Sequence, residues 1–273
     1  MVGQRTLNPF ILVRIQVSQL SMKKPHDTSW GSAAEWYHEY LETTEDSYQR
    51  QVILPNLLRI LDIQKGTRVL DIACGQGFFA REFAAAGATV VGADIAKDLI
   101  AQAKKLPGNI EYHVAPANAL AFAKDISFDA ATVVLAIQNI EDVSGTFAEA
   151  ARVLKPGGRL ILVMMHPAFR NPQKSSWGWD DEAKEQYRRT DAYLSLARTT
   201  LLVHPGKKGS PTTTSYHRSL QDFSKALSKA GFAITRLEEW ISHKQSGKGP
   251  RQAAENTARK EIPLFLMLEA RKH

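Results

Sequence analysis

Asp71, Gly75, Gly77 and Asp94 are the residues whose types and spacing most directly suggest chemistry. They frame Val69-Leu-Asp-Ile-Ala-Cys-Gly-Gln-Gly77, which reads as a strand passing through a glycine turn into a helix. Glycine in such a turn lets the backbone approach a ligand and adopt dihedrals that a side chain forbids. The Gly-x-Gly pair alone is a weak signal, because nicotinamide-binding turns share it. The third glycine of that longer pattern is replaced by Ala80, a tolerated exchange. Asp71 narrows the choice: a carboxylate at the strand end would oppose a dinucleotide's pyrophosphate and suits a cationic, amino-acid-bearing cofactor. Asp94 closes the next strand, 17 residues after Gly77, where an acid can accept hydrogen bonds from ribose hydroxyls. The alternative for either aspartate is a turn or cap residue.

The elements that must place these residues follow from periodicity. Arg68–Ile72, Thr89–Ala93, Ile110–Val114, Phe128–Ile137 and Arg159–Met165 read as strands, and Phe78–Ala86, Ala96–Leu106 and Phe147–Leu154 as the helices between them. Gly87, Pro107-Gly108 and Lys155-Pro-Gly-Gly158 stop those helices. Continuous apolar strands alternating with helices predict a parallel sheet covered on both faces. The rhythm breaks over residues 166–218. It resumes with a helix at Ser219–Ala230, a strand at Phe232–Trp240, a helix at Arg251–Lys260 and a seventh strand at Ile262–Ala270. Ahead of the first strand, residues 29–63 read as helical from the spacing of Trp36, Tyr40, Val52, Leu54, Leu57, Leu58 and Leu61, with Pro55 dividing the stretch. The expectation is an α/β fold with a seven-stranded, mostly parallel, Rossmann-like sheet, helices on both faces and a cap insertion.

At 273 residues, 44% of them hydrophobic, the chain can bury a large core. No apolar run reaches the roughly 20 residues of a bilayer span. A single cysteine excludes an intrachain disulfide and fits a reducing compartment, the cytoplasm. No Cys/His cluster has zinc-site spacing, so no metal is expected. Net charge is +7 and uneven: residues 166–218 hold nine Lys/Arg against five Asp/Glu, and residues 241–273 hold seven against three. These basic segments are either a solvated surface or a site for an anionic substrate or nucleic acid. Residues 1–21 carry Arg5 and Arg14 but no acid, and Phe10–Val13 is too short for a signal-peptide core. They read as a leader outside the fold, with Met22 the natural start. The remaining divisions are 22–165, the N-terminal helices with the cofactor half; 166–218, the cap insertion; and 219–273, the C-terminal half.

Val69–Gly77 resembles motif I of class I S-adenosylmethionine-dependent methyltransferases, and Asp94 resembles their motif II acid. Phe128-Asp-Ala-Ala-Thr-Val-Val-Leu135 is similar to the fourth-strand motif. Val153-Leu-Lys-Pro-Gly-Gly-Arg-Leu160 is similar to the post-helix motif of the ubiquinone/menaquinone-type superfamily. The resemblance spans residues 67–165 in order; the remainder resembles an uncharacterised bacterial branch of small-molecule methyltransferases. It implies S-adenosyl-L-methionine as cofactor. Gly75 and Gly77 would line its methionine side, the Ala73 and Leu135 backbones would hold its amino and carboxylate groups, Asp94 would grip the ribose, and Ile95 would pack on the adenine. One departure stands out: Pro116 fills the slot where many relatives carry an adenine-binding Asp, leaving Ala117 and Asn118 for that contact.

Methyl transfer from a sulfonium requires alignment, exclusion of water and, for some acceptors, removal of a proton. His166 directly follows the fifth strand, at the edge where parallel sheets carry their sites, and histidine's ordinary pKa of about 6.5 suits a base. The alternative is a structural histidine before Pro167. His217 and Tyr216 precede the next helix and can reach the same edge. Gln138 and Asn139 follow the fourth strand and are candidates to bind the acceptor. Trp36 and Tyr37 form either a lid or core. Trp177 and Trp179 form either a substrate-facing wall or the insertion's own core. With Arg188 and Arg189 they suggest a cap over a partly apolar acceptor that bears an anionic group. The leading reading is methylation of a small molecule, with no membrane span, no nucleic acid as partner, and a homodimer left open. The competing readings are an RNA methyltransferase and a non-catalytic S-adenosylmethionine-binding protein.

Overall fold

The computed structural model describes residues 30, 38, 39, 41, 43–203 and 209–273. The leader, Trp36, Tyr37 and Tyr40 lie outside the described residues, as does part of the loop between 204 and 208. A short π-helical turn at Gln49–Ile53 leads into α1 (Leu54–Leu61), which carries Pro55 in its first turn, where a missing N–H costs nothing.

Seven strands form one sheet: β1 (Arg68–Ile72), β2 (Thr89–Asp94), β3 (Glu111–Val114), β4 (Phe128–Val134), β5 (Leu154–Met165), β10 (Phe232–Trp240) and β11 (Phe265–Lys272). Their order is β10-β11-β5-β4-β1-β2-β3. β11 runs antiparallel to both neighbours, and the pairs within β3-β2-β1-β4-β5 are all parallel. Strand order reverses between β1 and β4, which opens a crevice at their carboxyl ends.

Side chains alternate between two faces because the strand period is 2. Leu70, Ile72, Ala131, Val133, Leu160 and Leu162 pack against α4 (Val143–Val153) and α5 (Leu220–Lys229) through Phe147, Ala150, Phe223 and Leu227. Val69, Val90, Ala130, Ile161 and Val163 pack against α1, α2 (Phe78–Ala85) and α3 (Lys97–Ala103) through Leu57, Phe79, Phe83 and Ile100. α6 (Gln252–Glu261) lies beside the insertion.

Several boundaries move relative to the sequence reading. β4 ends at Val134, since Leu135 turns out of the strand with φ +53°, and Ile137–Asn139 forms a 3-10 turn. α4 begins four residues before Phe147, capped by the Asp142 carboxylate, which accepts the Gly145 N–H at 2.8 Å. β5 starts at Leu154, earlier than the Pro-Gly-Gly stop suggests, with an irregular register through that segment. The insertion holds two antiparallel hairpins that the sequence reading did not anticipate: β6 (Ser175–Asp180) with β7 (Glu185–Thr190), and β8 (Ala197–Leu202) with β9 (Thr212–His217). Among the described residues no helix is long and apolar enough to cross a membrane.

Candidate active site

At the carboxyl end of β1, Asp71 is buried. Its Oδ1 accepts the Thr132 hydroxyl at 2.8 Å, and its Oδ2 is buried without a partner. Burial, reinforced by the charge of Asp94, pushes this carboxyl up to about 7 against the opposing Thr132 bond. Asp94 is also nearly buried. Its Oδ2 accepts the Gly75 N–H at 2.9 Å and its Oδ1 the Ala96 N–H at 2.8 Å, so it fastens the glycine loop to the end of β2. Burial raises its pKa despite those bonds. Ala73 (φ +57°) and Leu135 (φ +53°) are both non-glycine residues in the left-handed region, at the ends of the two strands flanking the crevice. Each such conformation costs on the order of 1–3 kcal/mol and persists where surrounding structure imposes it, often at ligand sites.

Gly77 has φ +78°, and a Cβ there would stand 2.2 Å from the Tyr112 hydroxyl. Its lack of a side chain thus makes room for the Tyr112 ring. Gly92, paired in register with Asp71, has the same neighbour: a Cβ would meet Tyr112 Cδ1 at 2.7 Å and Cys74 Sγ at 3.0 Å. Gly92→Ala should therefore lower stability by about 1–3 kcal/mol, the range for overpacking, measured by urea denaturation; an unchanged midpoint would refute this packing. Ile95 and Ala117 are half-buried, and Asn118 is exposed with its amide donating to Asp142 Oδ2 at 2.8 Å.

Beyond β4 and β5 lies a pocket of about 330 Å³, lined by Gln138, Asn139, Met164, Met165, Pro167, Arg170, Leu201, Tyr216, His217, Arg218 and Phe223, among others. Trp30 reaches it while packing on Ala96 and Leu99 beside Asp94. Gln138 Nε2 donates to the Leu135 carbonyl at 2.7 Å, and its Oε1 is buried without a partner. Asn139 Nδ2 donates to the Thr214 carbonyl at 2.8 Å, joining the turn after β4 to β9. His217 is 6% exposed, and its Nε2 lies 2.8 Å from the Tyr193 carbonyl. A carbonyl only accepts, so the proton sits on Nε2 and the Nδ1 lone pair is left as the ring's acceptor. Burial, with the Glu141 charge, raises the Tyr216 pKa and keeps its hydroxyl protonated.

His166 is placed differently. It is 2% exposed and held at both nitrogens: Nδ1 accepts the Ala168 N–H at 3.2 Å, and Nε2 lies 2.7 Å from Glu239 Oε1. The first bond puts the ring proton on Nε2, which donates to the carboxylate. Burial lowers its pKa, with Glu239 opposing. A base with both nitrogens committed has no lone pair to offer, so the geometry favours the structural alternative for His166.

The insertion residues also separate. Both the Arg170 and Arg188 guanidiniums lie 5.2 Å from the Trp177 ring centre. Arg188 is spent on the Phe169 carbonyl and Ser175 hydroxyl, both at 2.7 Å. Trp179 packs under Arg251 and bonds Asp181. Arg189 is exposed and paired with Asp191. These four belong to the β6–β7 hairpin's own packing, and Arg170 is the arginine of this cluster that lines the pocket. Sequence reasoning missed Trp30, which gave no motif. It also missed Thr132, whose hydroxyl in an otherwise apolar strand, in register with Asp71, was the available signal.

Residues 70–162 match the family described as a methyltransferase domain. The chain is 38% identical over 105 residues to a demethylmenaquinone methyltransferase of Renibacterium salmoninarum, covering 38% of this chain and 44% of that enzyme. It is 29% identical over 177 residues to a ubiquinone biosynthesis O-methyltransferase of Aromatoleum aromaticum, covering 62% of this chain and 76% of that one. An S-adenosylmethionine-dependent methyltransferase structure from Mesorhizobium loti superposes with a TM-score of 0.62 at 27% identity, over 80% of this chain and 96% of that chain. The chain spans less than half the length of the demethylmenaquinone relative. Together with the sheet order, the glycine loop and the two buried acids, these matches identify residues 70–162 as a methyltransferase domain of the S-adenosylmethionine-dependent kind.

Proposed function

We propose that the chain methylates a small-molecule acceptor in the 330 Å³ pocket, with His217 taking the acceptor's proton. The observation that carries this is the His217 ring: Nε2–H is anchored on a backbone carbonyl, and the Nδ1 lone pair belongs to a residue that lines the pocket. The pocket lies within the range typical of small-ligand sites, and its apolar wall of Met164, Met165, Pro167 and Phe223 suits an apolar acceptor body better than a polynucleotide backbone.

The residues of the crevice fit the cofactor. Asp71 presents a buried carboxylate oxygen without a partner, as a cationic amino-acid group requires. The strained backbones of Ala73 and Leu135 flank the same place. In this reading Asp71, Ala73, Gly75, Gly77 and Leu135 hold the methionine end, Asp94 the ribose, and Ile95, Ala117 and Asn118 the adenine. S-adenosylmethionine, when bound, supplies an electrophilic methyl group on a sulfonium that leaves as a neutral thioether. The chain's own residues orient the acceptor through Gln138 and Tyr216, exclude water with the insertion hairpins, and receive a proton at His217 Nδ1. The domain divisions fit this reading, with residues 166–218 as the cap over the pocket.

The direct test supplies S-adenosylmethionine with a labelled methyl group to the full chain and offers pooled metabolites and total RNA separately. Label in a low-molecular-weight product is expected; label confined to RNA would overturn the reading. Asp94→Ala should weaken S-adenosylhomocysteine binding by about 1–3 kcal/mol, and Asp94→Asn by less, because the amide oxygen still accepts one backbone N–H. Calorimetry showing unchanged affinity for the alanine variant would remove Asp94 from the cofactor site.

A further inference from the structure

Arg170 carries a charge that the protein leaves uncompensated. Its Nε is buried without a hydrogen-bond partner, its guanidinium lies over Trp177, and it lines the pocket. Among the described residues no carboxylate forms an ion pair with it, and no carboxylate is among the charges that act on it most strongly. Burial, with the like charges of Arg188 and Arg259 and only Tyr48 opposing, pushes its pKa down to about 10. Arg218, the other arginine of the pocket, differs. Its Nη1 is also buried without a partner, but its Nη2 donates to the Glu141 carbonyl at 2.5 Å, and Tyr216, Asp222, Glu141 and Asp142 offset its charge. Arg170 is half-buried with its Nε fully enclosed, and a partly desolvated guanidinium without a counter-ion is the kind of group an anionic ligand completes.

We propose that Arg170 is the specificity-determining residue for a carboxylate on the acceptor, so that the substrates are hydroxyl-bearing carboxylic acids with an apolar body. This rests on the pocket being the acceptor site. Arg170 receives the carboxylate in a charge-assisted pair, Met164 and Met165 pack on the body, and the hydroxyl to be methylated faces His217. The Trp177 ring, which Arg188 also meets at 5.2 Å, packs on the guanidinium. The turn from which Arg170 springs is closed by the His166 carbonyl, which accepts the Arg170 N–H at 2.7 Å.

The test uses the full chain saturated with S-adenosylhomocysteine and a panel of paired probes, each a hydroxylated aromatic or aliphatic carboxylic acid beside its primary amide, 4-hydroxybenzoate against 4-hydroxybenzamide among them. Calorimetry is expected to show at least one acid bound about 10- to 100-fold more tightly than its amide. Arg170→Gln should abolish that ratio with S-adenosylhomocysteine affinity unchanged, and Arg170→Lys should restore part of it. Lys184→Gln, which removes an exposed charge at the tip of the β6–β7 hairpin, should leave it intact. A panel in which no acid exceeds its amide, or a ratio that survives in Arg170→Gln, overturns the proposal. Failure of the methyltransferase reading shows separately, as loss of S-adenosylhomocysteine binding by the unmodified chain.

Discussion

Turnover of a His217→Gln variant is expected to fall by about 10²- to 10⁴-fold, the contribution of a positioned general base, while S-adenosylhomocysteine binds as in the unmodified chain. Glutamine is the informative replacement because its amide N–H can keep the hydrogen bond to the Tyr193 carbonyl that His217 Nε2 makes at 2.8 Å. What it cannot supply is the basic lone pair of Nδ1. The effect should lie in kcat for acceptors whose hydroxyl must lose a proton. The comparison that isolates it is His166→Gln. That variant should lose stability through the Glu239 and Ala168 contacts and keep its turnover at temperatures where it is folded. Measured single-turnover rates would reverse the assignment if His166→Gln were the slow variant and His217→Gln matched the unmodified chain.

The two histidines show where the sequence stops being informative. In the sequence each precedes a turn or helix at the edge of the sheet, and nothing local separates them. Their difference lies in distant partners. His166 meets a carboxylate 73 positions away on β10 and a backbone N–H two residues on, whereas His217 meets a carbonyl 24 positions back. The cofactor half was more transparent. β1, β2 and β5 are buried on both faces, so their apolar runs announce a parallel sheet, and an aspartate at the end of such a run has few structural excuses. The end of β4 was not visible, because Leu135 enters the left-handed region without the glycine or asparagine that normally marks it. The hairpins of the insertion escaped for another reason. β9 alternates exposed and buried residues as a strand should, but its inward residues are Thr213, Ser215 and His217, which a hydrophobic periodicity does not register. Arg188 and Arg189 looked like substrate ligands because guanidiniums suit anions. Their hydrogen bonds and ion pair assign them to the hairpin, whereas the Arg170 side chain, also in the insertion, makes no hydrogen bond or ion pair among the described residues and lies over Trp177.

The second large effect concerns pH and the buried acid of the crevice. Burial and the neighbouring Asp94 push the Asp71 carboxyl up to about 7, against about 3.9 for an unfolded aspartate. Between those values the unfolded chain has released its proton while the folded chain still holds it. The folded state therefore binds more protons, and stability falls as pH rises through the window from about 4 to about 7. At pH 8 Asp71 ionises in a buried place with Oδ2 unpartnered, at a cost on the order of 2–4 kcal/mol relative to pH 4. Asp71→Asn cannot ionise, so this share of the slope should vanish, and the variant should gain on the unmodified chain steadily from pH 5 to pH 8 in urea denaturation without cofactor. Cofactor binding should respond in the opposite sense. An ammonium group beside Asp71 favours the ionised carboxylate, so S-adenosylhomocysteine affinity should rise with pH across the same window in the unmodified chain and stay flat in Asp71→Asn. The asparagine keeps an oxygen to accept the Thr132 hydroxyl, so the comparison isolates the charge rather than the hydrogen bond. Stability curves for the two proteins that run parallel from pH 5 to pH 8 would show that Asp71 does not titrate there, and an affinity indifferent to its charge would take Asp71 out of the cofactor site.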